Sequence, residues 1–223
     1  MAMFERILST CAKIIKKITS KLIKLLSFSF KYWVIQDAKK RYGINTHADS
    51  NLLIKGEFVA GKNISIGRFS NIIVAENSSL VIHDNVWIND NCHIETCQGQ
   101  SIIIGAKTTL QSRCQIRGDV VVGESVLFAP NVFVSSGSHM YSYVPELNIR
   151  EQDKKYQEEH GFFYSNPITI GEDCWLGINV VVMPGITIED HCVVGANSVV
   201  TKDIAAGSVS AGVPAKIIKN RFE

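Results

Sequence analysis

The chain has 223 residues, of which 46% are hydrophobic and 20% are charged, and it contains no run of about 18 apolar residues. This composition excludes a disordered chain and a membrane-spanning helix, and the length fits one domain or a repeat array with an appendage. The net charge of +2 conceals an asymmetry: residues 1–42 hold ten Lys and Arg against two acids, whereas residues 43–223 hold thirteen against nineteen. Because the body is acidic, we expect no nucleic-acid partner.

The first predicted element is a basic amphipathic helical segment, residues 1–45. Apolar residues recur every three or four positions from Phe4 to Leu26, and lysines occupy the spaces between them. Because these lysines also rule out the apolar core of a secretory signal, we expect a cytoplasmic protein. A cationic helix with an apolar stripe binds anionic lipid, which predicts peripheral contact through residues 3–31 at the inner face of the cytoplasmic membrane. Packing against the rest of the protein, or against a second copy, is the alternative.

A six-residue repeat organises the remainder of the chain. Aliphatic residues recur at this spacing in three runs, and several are followed by glycine: Ile170, Leu176, Val182, Ile188, Val194, Val200 and Ala206; Ile104, Leu110, Ile116, Val122, Phe128 and Val134; and, more weakly, Ile54, Ala60, Ile66 and Ile72. A period of six predicts a short strand followed by a corner, so three hexads form one triangular coil of about eighteen residues. We expect six to seven coils, with Ile104 stacked on Val122.

The repeat contains two long steps and a set of regularly spaced cysteines. The steps from Ile72 to Ile82 and from Ile94 to Ile104 are ten residues long, which predicts short outward bulges. The fifth position of each hexad holds small or medium residues, including Cys92, Cys114, Cys174 and Cys192. In a chain without an export signal, we expect reduced, inward-facing thiols rather than a disulfide framework.

The hexads stop between Val134 and Ile170, which predicts a loop extruded from the repeat over residues 140–167. This segment mixes charged and aromatic residues, as solvated excursions and functional loops both do. As a functional loop, it would be a lid or an arm that reaches an active site.

The stretch IGEDCWLGINVVVMPGITIEDHCVVGANSVVTKDI from Ile170, followed by AGVPAKIIK from Ala211, resembles the hexapeptide-repeat acyltransferases. It is most similar to the sugar O-acetyltransferases that act on maltose, galactosides and surface polysaccharides. The resemblance implies an all-β fold, a left-handed parallel β-helix over residues 46–220. It also implies a homotrimer, acetyl-CoA as the donor, a saccharide acceptor and active sites between subunits.

His139 is the candidate catalytic residue. Acetyl transfer to a hydroxyl needs a base near neutral pKa, and the resemblance places the family's catalytic histidine at the end of the VSSGSH stretch. Without the resemblance, a lone histidine is more often a surface residue. The base also needs an acceptor for its second nitrogen, and Asp119, Asn131 or a backbone carbonyl could supply it. Four aromatic loop residues are candidates for stacking on the sugar or the pantetheine: Tyr141, Phe162, Phe163 and Tyr164.

The resemblance also implies a coenzyme groove, lined by Trp175, Ala196, Thr201, Lys202, Lys216 and Lys219. Ordinary solvated lysines and an exposed tryptophan at the edge of a coil are the alternatives. Gly177, Gly185 and Gly195 are predicted to be corner glycines that the backbone conformation requires. The spacing of His83, His93 and His139 does not match the family that binds metal on this scaffold, and His191 is also expected to face outward, so we expect no metal.

These features predict an acetyl-CoA-dependent O-acetyltransferase that acts on a saccharide hydroxyl, in O-antigen or capsule synthesis. His139 would act as general base in a direct transfer, because inward cysteines are poorly placed as nucleophiles. An N-acetyltransferase of an amino sugar, free or nucleotide-linked, is the second reading. A non-catalytic β-helix scaffold is the third.

Overall fold

The computed structural model describes residues 16–19, 21–22, 33 and 35–223. Residues 16–19, 21–22 and 35–42 are helical. Most of the predicted amphipathic segment, and with it the predicted membrane contact through residues 3–31, lies outside the described residues. Within the described part of the chain, no helix is both long enough and apolar enough to cross a bilayer.

The body is a left-handed parallel β-helix with three faces, and each coil contributes one short strand to each face. The first face contains β1 (Asn45–Thr46), β4 (Ser65–Ile66), β7 (Trp87–Ile88), β10 (Thr109–Leu110), β13 (Leu127–Phe128), β16 (Trp175–Leu176), β19 (Val193–Val194), β21 (Ser208–Ala211) and β22 (Lys216–Asn220). The second contains β2 (Asn51–Ile54), β5 (Asn71–Val74), β8 (His93–Glu95), β11 (Gln115–Arg117), β14 (Phe133–Ser135), β17 (Val181–Val182) and β20 (Val199–Val200). The third contains β3 (Glu57–Ala60), β6 (Ser79–Ile82), β9 (Ser101–Ile104), β12 (Val120–Val122), β15 (Ile168–Ile170) and β18 (Thr187–Ile188).

Stacking of like residues builds the core, as the repeat predicts. Ile104 pairs with Val122, and Val122 with Ile170, in one column of the third face. Every first-position residue from Ile104 to Val134 and from Ile170 to Val200 is buried. The predicted phase fails at Ala206, which is exposed. Ile204 is buried in its place and bridges to Ile188, because the last coil is shorter and β22 turns back antiparallel to β21.

Cys92 stacks on Cys114 and Cys174 on Cys192, and all four thiols are free and buried in the fifth positions, as predicted. The sulfur atoms form hydrogen bonds inside the core. Cys114 Sγ lies 3.2 Å from the Ala129 carbonyl oxygen, and Cys192 N–H donates to Cys174 Sγ at 3.4 Å. These thiols are therefore part of the core.

Asparagine, rather than glycine, occupies several corners where the backbone has a positive φ. Asn131, Asn179 and Asn197 all have φ near +60°, a conformation that asparagine tolerates better than other non-glycine residues. Their side chains form a ladder, with Asn131 Nδ2 donating to Asn179 and Asn179 Nδ2 donating to Asn197. Of the predicted corner glycines, Gly185 has a positive φ of 80°.

Gly177 and Gly195 lie at corners, but the backbone conformation does not require glycine there, because neither residue has a positive φ. Both are required by the close approach of the next coil. An added Cβ at Gly177 would lie 2.7 Å from the backbone nitrogen of Ala196, and one at Gly195 would lie 2.8 Å from Ala211 Cβ.

The corner between the second and third faces, here called the wide corner, changes size along the helix. Trp87 pairs with Thr109, 22 residues later, whereas Thr109 pairs with Leu127, 18 residues later. The two ten-residue steps account for the longer coils. Each is an outward enlargement of the corner between two strands, residues 75–78 and 96–100, as predicted. The wide corner therefore protrudes in the second and third coils and becomes tight at Gly118.

In the next coil, the chain leaves the β-helix at the wide corner and forms the predicted loop, here called the arm. An antiparallel bridge between Gly137 and Ser165 closes its base. The arm contains a helix that sequence analysis did not predict, α1 (Ile149–His160). Its aromatic residues Tyr143, Tyr156, His160, Phe162 and Tyr164 contact one another, with Tyr156 stacked on His160 at 4.1 Å. The arm is thus an ordered element with its own small cluster.

Candidate active site

Three successive coils form a cleft at the wide corner. The enlarged corner that holds Cys97 and Gln100 is one wall, the tight corner at Arg117 and Gly118 is the floor, and the arm is the other wall. The cavity measures about 280 Å³. The cleft exists because a regular coil lies between two coils that protrude.

His139 and Asp153 form a hydrogen-bonded pair in this cleft. His139 Nδ1 donates to Asp153 Oδ2 at 2.7 Å, and the Met140 backbone N–H donates to Asp153 Oδ1, also at 2.7 Å. The carboxylate can only accept, so it fixes the proton on Nδ1 and leaves Nε2 as the acceptor nitrogen. The imidazole is 82% exposed and can therefore be reached from solvent. This arrangement can remove a proton from a bound hydroxyl.

The ionised form of Asp153 is favoured by its partners. Desolvation raises the pKa of this carboxyl, but the hydrogen bonds from Met140 and His139, with the imidazole charge, outweigh it and hold the pKa below its ordinary value. Asp153 is therefore a carboxylate at neutral pH and remains available to orient His139.

The hydrogen-bond partner of His139 Nδ1 is none of the predicted candidates. Asp119 accepts from the backbone N–H and hydroxyl of Ser101, and Asn131 accepts from Arg113 Nε at 2.6 Å. Asp153 lies in α1, which the sequence signals through a capping box. Asn148 Oδ1 accepts from Glu151 N–H, and Glu151 accepts in return from Asn148 N–H. Reading this signal would have placed a helix, and Asp153 within it, in the arm.

Arg117 on the floor of the cleft is already paired. Its Nη2 lies 2.6 Å from Glu95 Oε2, which also accepts from His93 Nε2 at 2.9 Å. Desolvation raises the pKa of Glu95, but the hydrogen bonds from His93 and Arg117 more than compensate and hold it below its ordinary value. His93 therefore has a structural partner, and His83 is exposed outside the cleft. The floor is close to neutral.

Cys97 is a cleft residue that sequence analysis did not consider. Burial of the thiol, followed by the nearby Glu95 carboxylate, raises its pKa above the ordinary value. Because the thiolate is the nucleophile, this environment disfavours an acyl-enzyme at Cys97.

The structure separates the four aromatic candidates of the arm. Phe163 and Tyr164 line the cleft beside His139. Phe162 lines an adjoining recess with Asp119 and Ser165. Tyr141 is 74% exposed and lines neither cavity.

The candidate coenzyme residues are all exposed, and four of the six lie on parts of the chain away from His139. Trp175 points outward from the first face at 52% exposure, and Ala196 lies at the corner between the first and second faces. Lys216 and Lys219 lie on β22 at the end of the first face. Thr201 and Lys202 lie at the wide corner, as His139 does, but two strands further along the second face. Neighbouring strands are about 4.8 Å apart.

The described residues hold no cluster of three or more His, Cys, Asp or Glu side chains suited to a metal ion. His191 lies away from the cleft, where it contacts Asp173 at 3.2 Å.

Comparison with known proteins agrees with this fold. Residues 167–202 match a family model described as the hexapeptide repeat of succinyl-transferase. The chain is 32% identical over 167 residues to an Escherichia coli protein named as a lipopolysaccharide biosynthesis O-acetyl transferase, covering 74% of this chain and 72% of that protein. The chain belongs to the hexapeptide-repeat acetyltransferase family.

Other members of the hexapeptide-repeat acetyltransferases are also similar. The chain is 37% identical over 140 residues to the galactoside O-acetyltransferase of Escherichia coli, covering 62% of each chain. It therefore spans about three fifths of the length of that relative. Among solved structures, a UDP-N-acetylglucosamine acyltransferase from Bacteroides fragilis superposes with a TM-score of 0.62 at 14% identity, covering 80% of this chain and 62% of that one. This likeness concerns the fold.

Proposed function

We propose that this protein transfers an acetyl group from acetyl-CoA to a saccharide hydroxyl. The observation that carries the proposal is the His139–Asp153 pair, which leaves an acceptor nitrogen exposed in a cleft lined by Phe163 and Tyr164. The names of the relatives, a galactoside O-acetyltransferase and a lipopolysaccharide O-acetyl transferase, support an acetyl donor and a sugar acceptor.

The proposed reaction is a direct transfer. Nε2 of His139 takes the proton of the sugar hydroxyl while the hydroxyl oxygen attacks the thioester carbonyl carbon. Backbone N–H groups stabilise the resulting oxyanion. The carbon–sulfur bond then breaks, and the proton on His139 passes to the departing thiolate, giving the O-acetyl sugar and coenzyme A. Asp153 keeps the imidazole in the required tautomer and stabilises the imidazolium, so it is a positioning residue.

The coenzyme would lie along the exposed residues of the later coils. Lys202, Lys216 and Lys219 are surface cations suited to phosphate groups, and Trp175 offers an exposed ring. Because Trp175 and His139 lie on different faces of one subunit, a homotrimer that places them at a shared interface supplies a complete site.

The biological setting that we propose is surface-polysaccharide synthesis, in the cytoplasm at the inner face of the membrane. The printed name of the lipopolysaccharide biosynthesis relative supports the pathway. The basic composition of residues 1–42 supports the membrane contact.

An acceptor screen tests the proposed reaction. Purified protein and acetyl-CoA are incubated with free, nucleotide-linked and lipid-linked sugars, and products are identified by mass and by alkaline treatment. The proposal predicts an acetyl ester that alkali removes. An alkali-stable acetamide would contradict it in favour of N-acetylation, and absence of both transfer and coenzyme A binding would favour the scaffold reading.

A further inference from the structure

A second recess adjoins the His139 cleft on the other side of the wide corner. Its lining is Gln98, Gly99, Gln100, Asp119, Phe162 and Ser165, and its volume is about 220 Å³. We call the cavity beside His139 the base subsite and this recess the distal subsite. Gln100 lines both, and the floor residues Gly118 and Asp119 are consecutive, so the two subsites meet across one corner.

We propose that the two subsites bind two consecutive units of an uncharged glycan chain, with the acetylated unit in the base subsite. This inference rests on the proposed function and specifies its acceptor. Each volume lies near the lower end of the range typical of ligand pockets, about 300 Å³, which suits one small ring in each subsite.

Phe162 gives the distal subsite a fixed aromatic surface. Its ring packs edge-on against Tyr156 and His160, with centroids 6.2 Å away in both cases, and half of the residue stays exposed. The contacts restrain the ring while its open side faces the recess. The apolar C–H face of a pyranose can stack on such a ring, which buries apolar area at little conformational cost.

Polar groups complete the distal subsite. Gln100 Oε1 is buried and has no hydrogen-bond partner among the described residues. Buried polar atoms are nearly always paired, so this oxygen needs a donor that the described chain does not supply. A sugar hydroxyl at the junction of the two subsites can supply it after a small rotation of the amide. Asp119 and Ser165 add hydrogen-bonding groups around the ring.

The charge of the cleft favours an uncharged chain over a nucleotide-linked sugar. Among the described residues that line the two subsites, Arg117 is the one permanent cation, and Glu95 already engages it at 2.6 Å. Asp119 and Asp153 are acidic and would repel a diphosphate. The extension beyond the acetylated sugar is therefore another neutral sugar unit.

Calorimetric binding without acetyl-CoA tests the proposal on the full chain. The probes are glucose, galactose and N-acetylglucosamine, each as monosaccharide, disaccharide and tetrasaccharide, together with UDP-galactose and UDP-N-acetylglucosamine. In at least one series we expect the disaccharide to bind about tenfold more tightly than the monosaccharide. Phe162→Ala should abolish this gain and leave monosaccharide binding unchanged.

Ile149→Ala is the matched control, because Ile149 is also half-exposed on the arm but lines neither subsite. This variant should retain the tenfold gain. Equal affinities for monosaccharide and disaccharide in every series, no binding by any longer glycan, or tightest binding by a UDP-sugar would overturn the proposal. Because the readout needs no transfer, preserved glycan binding without acetylation would refute the proposed reaction and leave the distal subsite standing.

Discussion

At the scale of single residues, the proposed reaction depends on the tautomer of His139. Asp153 accepts the Nδ1 proton, so replacing it with asparagine keeps the shape but removes the charge and permits the wrong tautomer. We expect Asp153→Asn to lower kcat by about 10²-fold, within the range of general-base catalysis. Steady-state kinetics should show a smaller change in KM. An unchanged kcat would show that the carboxylate does not position the base.

The ionisation of Asp153 gives a second prediction. Two hydrogen bonds, one of them from His139, help to hold the Asp153 pKa below its ordinary value against desolvation. In His139→Ala, carbon-detected NMR titration should show this pKa rising towards the ordinary value, and an unchanged pKa would contradict the pairing.

The sign of the corresponding stability effect follows from the lowered native pKa. The carboxylate stabilises the packing of α1 against His139 and Met140 at every pH above the ordinary aspartate value. That contribution is lost as pH falls through the lower native pKa, because protonation removes the negative charge and one acceptor oxygen and so weakens the hydrogen bonds to Asp153.

At the scale of elements, α1 carries Asp153 to the site. Its capping box joins Asn148 to Glu151. Gln152 is the buried residue of the helix, and its side chain accepts from Val144 N–H and donates to the Leu147 carbonyl. Asn148→Ala removes the cap, which should destabilise α1 by about 1 kcal/mol. Hydrogen exchange of residues 149–160 should accelerate about fivefold, with unchanged exchange in the β-helix.

Lys154→Ala is the control for this change. It removes an exposed ion pair with Glu158, whose N–O distance is 3.6 Å, and such pairs contribute less than about 1 kcal/mol. Exchange that responds equally to both variants would contradict the role assigned to the cap.

The elements also show which parts of the fold the sequence reveals. The six-residue period correctly locates strands and core positions, because each inward aliphatic residue must stack on its equivalent in the next coil. The period ends at Val200, since the shorter last coil buries Ile204 and exposes Ala206. The period cannot describe the arm, where α1 is signalled instead by Asn148, Glu151 and Gly161.

The candidate site was only partly predictable, for a related reason. His139 stands where the repeat stops, so a local pattern locates it. Its partner Asp153 is 14 residues away, and Cys97 and Arg117 come from two earlier coils. These contacts depend on how the enlarged corner and the arm flank the tight coil, a three-dimensional arrangement that spacing alone does not specify.

At the scale of the whole molecule, the separation of His139 and Trp175 leads to a prediction about assembly. If a trimer builds each active site from two subunits, His139→Ala and Trp175→Ala should each be inactive alone. Co-expression of the two variants should restore about a quarter of wild-type activity, because some interfaces then contain both intact residues. Mixed oligomers without any recovery would show that the two residues do not serve one shared site.

The proposed role of His139 is tested most directly by measuring the acceptor-dependent release of coenzyme A by His139→Ala beside the wild-type protein. With folding and coenzyme A binding verified for the variant, we expect its kcat to fall by at least about 10²-fold. Turnover close to that of the wild-type protein would contradict the assignment of His139 as the general base.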